Sequence, residues 1–158
     1  EVGQGSTFHV YLPETKGETV DEDVVNDTPL PTGHEHIMLV DDESALVAFG
    51  RDLLERLGYR VSAFTDSEQA LEAFRAGPNR YDLLVTDMTM PKLTGADLTS
   101  EMRTVRPEFP VIVCTGFSSQ LSHERACQIG VGRILMKPLL SSTLAKSVRE
   151  ALDGGMGG

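Results

Sequence analysis

Through the middle of the chain, short apolar runs alternate with longer stretches in which apolar residues recur at helical spacing, and this alternation predicts five strand-then-helix units. Ile37-Met38-Leu39-Val40 reads as the first strand. Ser44 then precedes Leu46, Phe49, Leu53 and Leu57, spaced as one helical face and closed by Gly58. Arg60 to Phe64 is the second strand, followed by a helix with Asp66 or Ser67 as its cap, Ala70, Leu71 and Phe74 as its apolar positions and Gly77-Pro78 as its stop. Leu83 to Asp87 is the third strand. Gly95 leads into a helix carrying Leu98, Met102 and Val105, which ends at Arg106-Pro107. Val111 to Thr115 is the fourth strand, and a helix through Leu121, Ala126 and Ile129 follows it. Ile134-Leu135-Met136 is the fifth, and the last helix runs from Ser141 through Leu144 and Val148 to Leu152.

Successive strands joined by helices require right-handed crossovers, so the pattern predicts an α/β fold: a doubly wound, five-stranded parallel sheet with helices on both faces. The flanks read differently. Residues 1–13 place Phe8, Val10 and Leu12 on one side of a lone amphipathic strand. Residues 14–33 carry six acids against Lys16, with Pro29 and Pro31 and no apolar period, and are predicted to be a linker. The compact domain is placed at residues 34–153, and residues 154–158 form a Gly-rich tail expected to be flexible.

At 158 residues, with 40% hydrophobic and 24% charged, the chain suits one globular domain with tails. No apolar run approaches the roughly 20 residues of a membrane span. Residues 1–12 have no initiator Met, charged n-region or apolar h-region, which argues against a signal peptide and for a piece of a longer protein. The net charge of −10 disfavours nucleic acid and anionic membrane surfaces as direct ligands and favours a dication or a basic partner. Cys114 and Cys127 have neither a disulfide framework nor metal spacing, and read as small hydrophobes in a reducing cytoplasm.

Polar groups end four of the predicted strands: Asp41 and Asp42, Asp87, Thr115 and Lys137. In a sheet of order 2-1-3-4-5 all of them rise on the carboxyl edge around the switch point between the first and third strands. Three crowded carboxylates repel one another, and a hard dication with oxygen ligands relieves the repulsion; Mg²⁺ is expected, with Mn²⁺ as its chemical relative. Asp87 is then a carboxylate nucleophile for a phosphoryl group, Lys137 a point charge and Thr115 a hydroxyl donor for its oxygens.

Asp41-Asp42-Glu43, Asp87 with Met90-Pro91 and Gly95, Thr115-Gly116 and Lys137-Pro138 together resemble the motif set of response-regulator receiver domains, over about His34 to Leu152. The resemblance implies the flavodoxin-like receiver fold and transfer of phosphate from phosphohistidine to Asp87, followed by slow hydrolysis. It implies metal ligation by Asp42, Asp87 and the Thr89 carbonyl, with Asp41 acting through water, and a cis Lys137–Pro138 bond. Many receivers have an aromatic residue three positions before the lysine, where this chain has Ile134. Movement of the loop at residues 116–120 is therefore expected in place of an aromatic switch.

Gly3-Gln4-Gly5-Ser6-Thr7-Phe8, ending in Leu12-Pro13, resembles the closing strand of the ATP-binding domain of sensor histidine kinases. With a kinase-like strand ahead of a receiver, the expectation is the C-terminal receiver of a hybrid kinase. Its partners would be a histidine kinase donor and a histidine phosphotransfer protein.

Competing readings are weaker. An aspartyl-phosphate phosphatase would use Asp-x-Asp, but Asp87 is followed by Met88-Thr89; a flavodoxin-like cofactor binder would find phosphate repelled by Asp41-Asp42; a phosphorylation-independent interaction module would not need the complete set. Singly, Asp41 and Asp42 are explicable as helix caps, Thr115 as a strand former and Lys137 as a solvated charge. His34, His36 and His123 read as ordinary surface or element-end residues, and Met88 and Met90 as local packing.

Overall fold

The computed structural model describes residues 29–116, 131 and 133–154. The expected N-terminal strand, residues 14–28 of the linker, the helix through Leu121, Ala126 and Ile129 with His123 and Cys127, and residues 155–158 lie outside them.

Five strands, β1 (His36–Val40), β2 (Arg60–Phe64), β3 (Leu83–Asp87), β4 (Val111–Thr115) and β5 (Arg133–Met136), form one sheet in the order β2-β1-β3-β4-β5. Every pairing is parallel. The helices are α1 (Ser44–Arg56), α2 (Ser67–Ala76), α3 (Gly95–Val105) and α4 (Ser141–Gly154), with a 3₁₀ turn at Pro78–Arg80. No helix among the described residues is long and apolar enough to cross a membrane.

The strands read as unbroken apolar runs because both faces of the sheet are covered. Along β1, Met38 and Val40 pack with Ala70, Leu71 and Phe74 of α2 and Leu98 and Met102 of α3. Ile37 and Leu39 point the other way and pack with Leu54 of α1 and Leu144, Val148 and Leu152 of α4. The central strands β3 and β4 are buried at every residue, which fixes the height at which their C-terminal side chains emerge.

One helical face differs from its sequence expectation. In α1 the buried positions are Val47, Gly50 and Leu54, whereas Phe49 is 43% exposed. Gly50 decides the orientation: a Cβ there would lie 3.0 Å from a Leu39 methyl, so the helix sits on β1 through its smallest residue and rotates Phe49 outward. Val105 at the end of α3 is likewise exposed. Asp66, not Ser67, caps α2, accepting from the amides of Glu68 and Gln69. Gly154, expected to open the tail, is the last residue of α4.

The stretch before β1 is fastened to the domain. Gly33 N–H donates to the Leu57 carbonyl at 3.0 Å, and Glu35 Oε1 lies 2.9 Å from Arg149 Nη2 on α4. Partial burial pushes the Glu35 carboxyl up, but hydrogen bonds from Arg149 and the local backbone outweigh it and hold the group down at about 2. A carboxyl depressed by folding stabilises above its unfolded value near 4.5 and loses that contribution as pH falls towards 2. Glu35→Gln is expected to remove about 1 kcal/mol at neutral pH, a screened value for a partly solvated pair. In urea titrations across that acid window, the variant should therefore show a flatter pH dependence of stability than the parent.

Candidate functional site

The carboxyl ends of β1, β3, β4 and β5 meet on one edge, beside the switch point where α1 and α3 leave to opposite faces. Register brings the groups level: Val40 pairs with Thr86, Asp87 with Cys114, and Thr115 with Met136. Asp41 and Asp87, one residue further along their strands, are 5% and 7% exposed, and Thr115 is 3% exposed. Lys137 follows directly, its N–H donating to the Thr115 carbonyl at 2.8 Å. The Lys137–Pro138 peptide is cis.

Lys137 Nζ is the meeting point of the site, 2.9 Å from Asp41 Oδ2 and 2.6 Å from Asp87 Oδ1. Partial burial pushes this ammonium down, but its bonds to Asp87 and Asp41 outweigh that and hold it above the ordinary lysine range. The second oxygen of each carboxylate accepts a backbone N–H, Glu43 onto Asp41 Oδ1 at 2.9 Å and Thr89 onto Asp87 Oδ2 at 2.8 Å. Asp41 is therefore not the cap of α1. The residue at that helix start is Glu43, which makes no side-chain cap bond. Beneath the edge lies Cys114, whose burial pushes its thiol up to about 12.

Asp41, Asp87, Thr115 and Lys137 thus stand together as the sequence predicts, while Asp42 at the same strand end faces solvent. Among the described residues no three His, Cys, Asp or Glu side chains gather as a ready-made metal cage. The physical reason is that the Lys137 ammonium supplies the compensating charge, so Asp41 and Asp87 converge on it. The donor chemistry nonetheless fits a hard dication: the Asp41 and Asp87 carboxylates beside Lys137, Asp42 at the same strand end and the Thr89 peptide oxygen are all hard ligands. His36 instead begins β1, its Nε2 2.9 Å from Ser62 Oγ and its ring 4.9 Å from that of Tyr81. Met88 and Met90 are buried in the core against α2 and α3.

Two features of the loop between β3 and α3 go beyond the sequence expectation. Thr94 and Asp97 form a reciprocal capping box at the start of α3, and Thr-x-x-Asp was its available signal. Gly95, which leads into the helix, is required by close approach: a Cβ there would lie 2.2 Å from the Asp87 carbonyl oxygen and 3.2 Å from Met88 Cα. Its own N–H donates to the Met88 carbonyl at 3.0 Å. Gly95→Ala must push the start of α3 off the very peptide that aims Asp87. The expected loss is roughly 1–3 kcal/mol, as for other overpacked sites, read as a fall in Tm of roughly 5–10 °C for a domain this size.

A doubly wound α/β sheet whose switch point gathers carboxylates, a lysine and a threonine at four strand ends defines a class of domain built for charged ligand chemistry at its carboxyl edge. The sequence pattern described as "Response regulator receiver domain" matches residues 37–149, and the chain belongs to that family. It is a receiver of two-component signalling, a domain with a phosphoacceptor role. The chain is 31% identical over 157 residues to the aerobic respiration control sensor protein ArcB of Escherichia coli (strain K12), covering 97% of this chain and 20% of the relative. It is 27% identical over 165 residues to sensor kinase CckA of Brucella abortus (strain 2308), covering 97% of this chain and 17% of the relative. The chain therefore spans about a fifth of these relatives. A crystal structure of a response regulator receiver domain protein from Clostridium thermocellum superposes with TM-score 0.73 at 31% identity, over 76% of this chain and 95% of that one.

Proposed function

We infer that Asp87 is the residue that takes the phosphoryl group, with Lys137 and Thr115 contacting its oxygens. The observation carrying this reading is the state of the Asp87 carboxylate: 7% exposed, with Lys137 Nζ 2.6 Å from one oxygen and the Thr89 amide 2.8 Å from the other. Such a group is oriented and already balanced by a cation, as a nucleophile meeting an anionic phosphoryl group must be. A carboxylate oxygen of Asp87 forms the new O–P bond as the P–N bond to the donor imidazole breaks, its electron pair returning to the ring. Lys137 follows the charge that builds on the phosphoryl oxygens. Thr115 offers its hydroxyl, and the Thr89 N–H steadies the carboxylate during attack. Later attack by water releases the phosphate slowly.

Receiver domains as a family are Mg²⁺-dependent. Here Asp42, Asp87 and the Thr89 carbonyl would hold the ion, with Asp41 acting through water. Bound there, it supplies charge neutralisation for the transferring group.

The phosphodonor is a histidine kinase, in cis or in trans, and a histidine phosphotransfer protein is the second partner. The likeness to ArcB and CckA covers 97% of this chain, beyond the receiver span itself, which supports an origin in a hybrid sensor kinase with residues 1–13 as the end of its ATP-binding domain and residues 14–33 as a linker. The domain then works in the cytoplasm. Incubation with radiolabelled acetyl phosphate or a cognate kinase tests the reading. One phosphoryl group per chain, acid-stable but released by hydroxylamine and absent in EDTA, is expected; a label that survives hydroxylamine would exclude an acyl phosphate.

A further inference from the structure

Beside the acceptor, the loop from β3 to α3 is held from outside by the first turn of α2. Ser67 is 2% exposed, and its hydroxyl both donates to the Pro91 carbonyl at 3.2 Å and accepts the Leu93 N–H at 3.3 Å. Between those two residues stands Lys92 with φ +67°, a left-handed conformation that side-chain-bearing residues enter with strain. Its ammonium lies 2.7 Å from Asp66 Oδ2 and 2.8 Å from Glu68 Oε2. A serine and an ion-paired lysine thus clasp residues 91–93 to the N-terminal turn of α2.

The other end of the same loop carries the Thr89 peptide, whose N–H bonds Asp87 Oδ2. It is anchored again where Gly95 N–H meets the Met88 carbonyl. With both ends of this short loop pinned, the middle determines how the Thr89 peptide plane is turned. A strained lysine is retained there when its neighbours over-determine it, and such strain gathers where a backbone must be aimed.

We propose that Ser67 and Lys92 are positioning residues for phosphoryl transfer: by clasping the β3–α3 loop to α2 they set the orientation of the Thr89 peptide towards the Asp87 carboxylate. The proposal rests on Asp87 being the acceptor. Neither residue touches the reacting atoms. They act as supports, a class of contact whose loss costs about 10-fold or more in affinity or activity.

Lys92→Gly separates positioning from mere stabilisation. It removes two solvent-exposed ion pairs, worth little, and also removes the left-handed strain, so the Tm should stay close to the parent's. Amide hydrogen exchange at Thr89 in the metal-free protein, however, should quicken about 10-fold, and acetyl phosphate labelling should slow by about as much. Lys92→Arg, which keeps the charge, should restore both. Ser67→Ala should resemble Lys92→Gly in exchange and labelling. Thr89 exchange and labelling at parent rates in Lys92→Gly would overturn the proposal, provided Asp87→Ala is unlabelled. Labelling of Asp87→Ala at the parent rate would instead overturn the acceptor assignment beneath it. If Ser67→Ala does not fold, the paired Lys92 variants decide alone.

Discussion

Asp87→Ala is expected to take up no phosphoryl group from acetyl phosphate or kinase while keeping its fold. The assigned nucleophile is this carboxylate, at the end of a strand buried at every residue, its oxygens held by Lys137 Nζ and the Thr89 N–H. Its removal leaves Lys137 still 2.9 Å from Asp41, so the cation is not orphaned and the penalty of about 3–5 kcal/mol for stranding a buried charge does not fall due. Thermal unfolding should therefore remain cooperative and near the parent midpoint. Asp87→Asn sharpens the test, because an amide oxygen still accepts the Thr89 N–H but is not a carboxylate nucleophile. Autoradiography after equal exposure to donor reads both variants. Parent-level label on either would move the acceptor elsewhere.

Lys137→Ala should damage stability and chemistry together. It strips the shared cation from two carboxylates, at 5% and 7% exposure, that then face each other without compensation. The cost should approach about 3 kcal/mol, the lower figure for breaking a buried pair, since Lys137 itself is partly solvated. Labelling should slow by about 10²–10³-fold, the usual loss for one charged contact to a transition state. Mg²⁺ should raise the Tm of the variant more than that of the parent, because a dication replaces the missing charge; equal shifts, measured in EDTA and in saturating Mg²⁺, would deny that the ion and the ammonium share these carboxylates.

The pH dependence follows with a definite sign. Folding holds the Lys137 ammonium above its ordinary value of 10.5, so its stabilisation is complete at every lower pH and is lost only as pH rises beyond that point. Lys137→Ala should abolish that alkaline decline.

Much of this was legible in the residues. The five strands follow from apolar runs that end in polar residues, and the gathering of Asp41, Asp87, Thr115 and Lys137 follows once the sheet has the order that the resemblance to receiver domains implies, because a doubly covered parallel sheet leaves only its carboxyl edge open. Phe49 shows where spacing misleads. It shares a helical period with Leu53 and Leu57, yet the neighbouring Gly50 is the residue that meets Leu39, and close packing favoured the small side chain over the large one. Asp42 shows a second limit. Its position in sequence gives the strand end but not the direction of the side chain, and the structure turns it to solvent while Asp41 turns to Lys137.

By itself, then, the sequence determined the elements, their order and which chemical groups reach one edge, since these depend on local periodicity and on the right-handed winding of strand and helix. Only the tertiary structure decided that one ammonium, from a residue 96 positions further along the chain, balances Asp41 and also Asp87. The same holds for Gly95, which must lack a Cβ because of the Asp87 carbonyl, and for Ser67 and Lys92, which hold the loop that bears Thr89. Those are contacts between segments far apart or differently oriented, fixed by packing distances that no periodicity along a chain encodes.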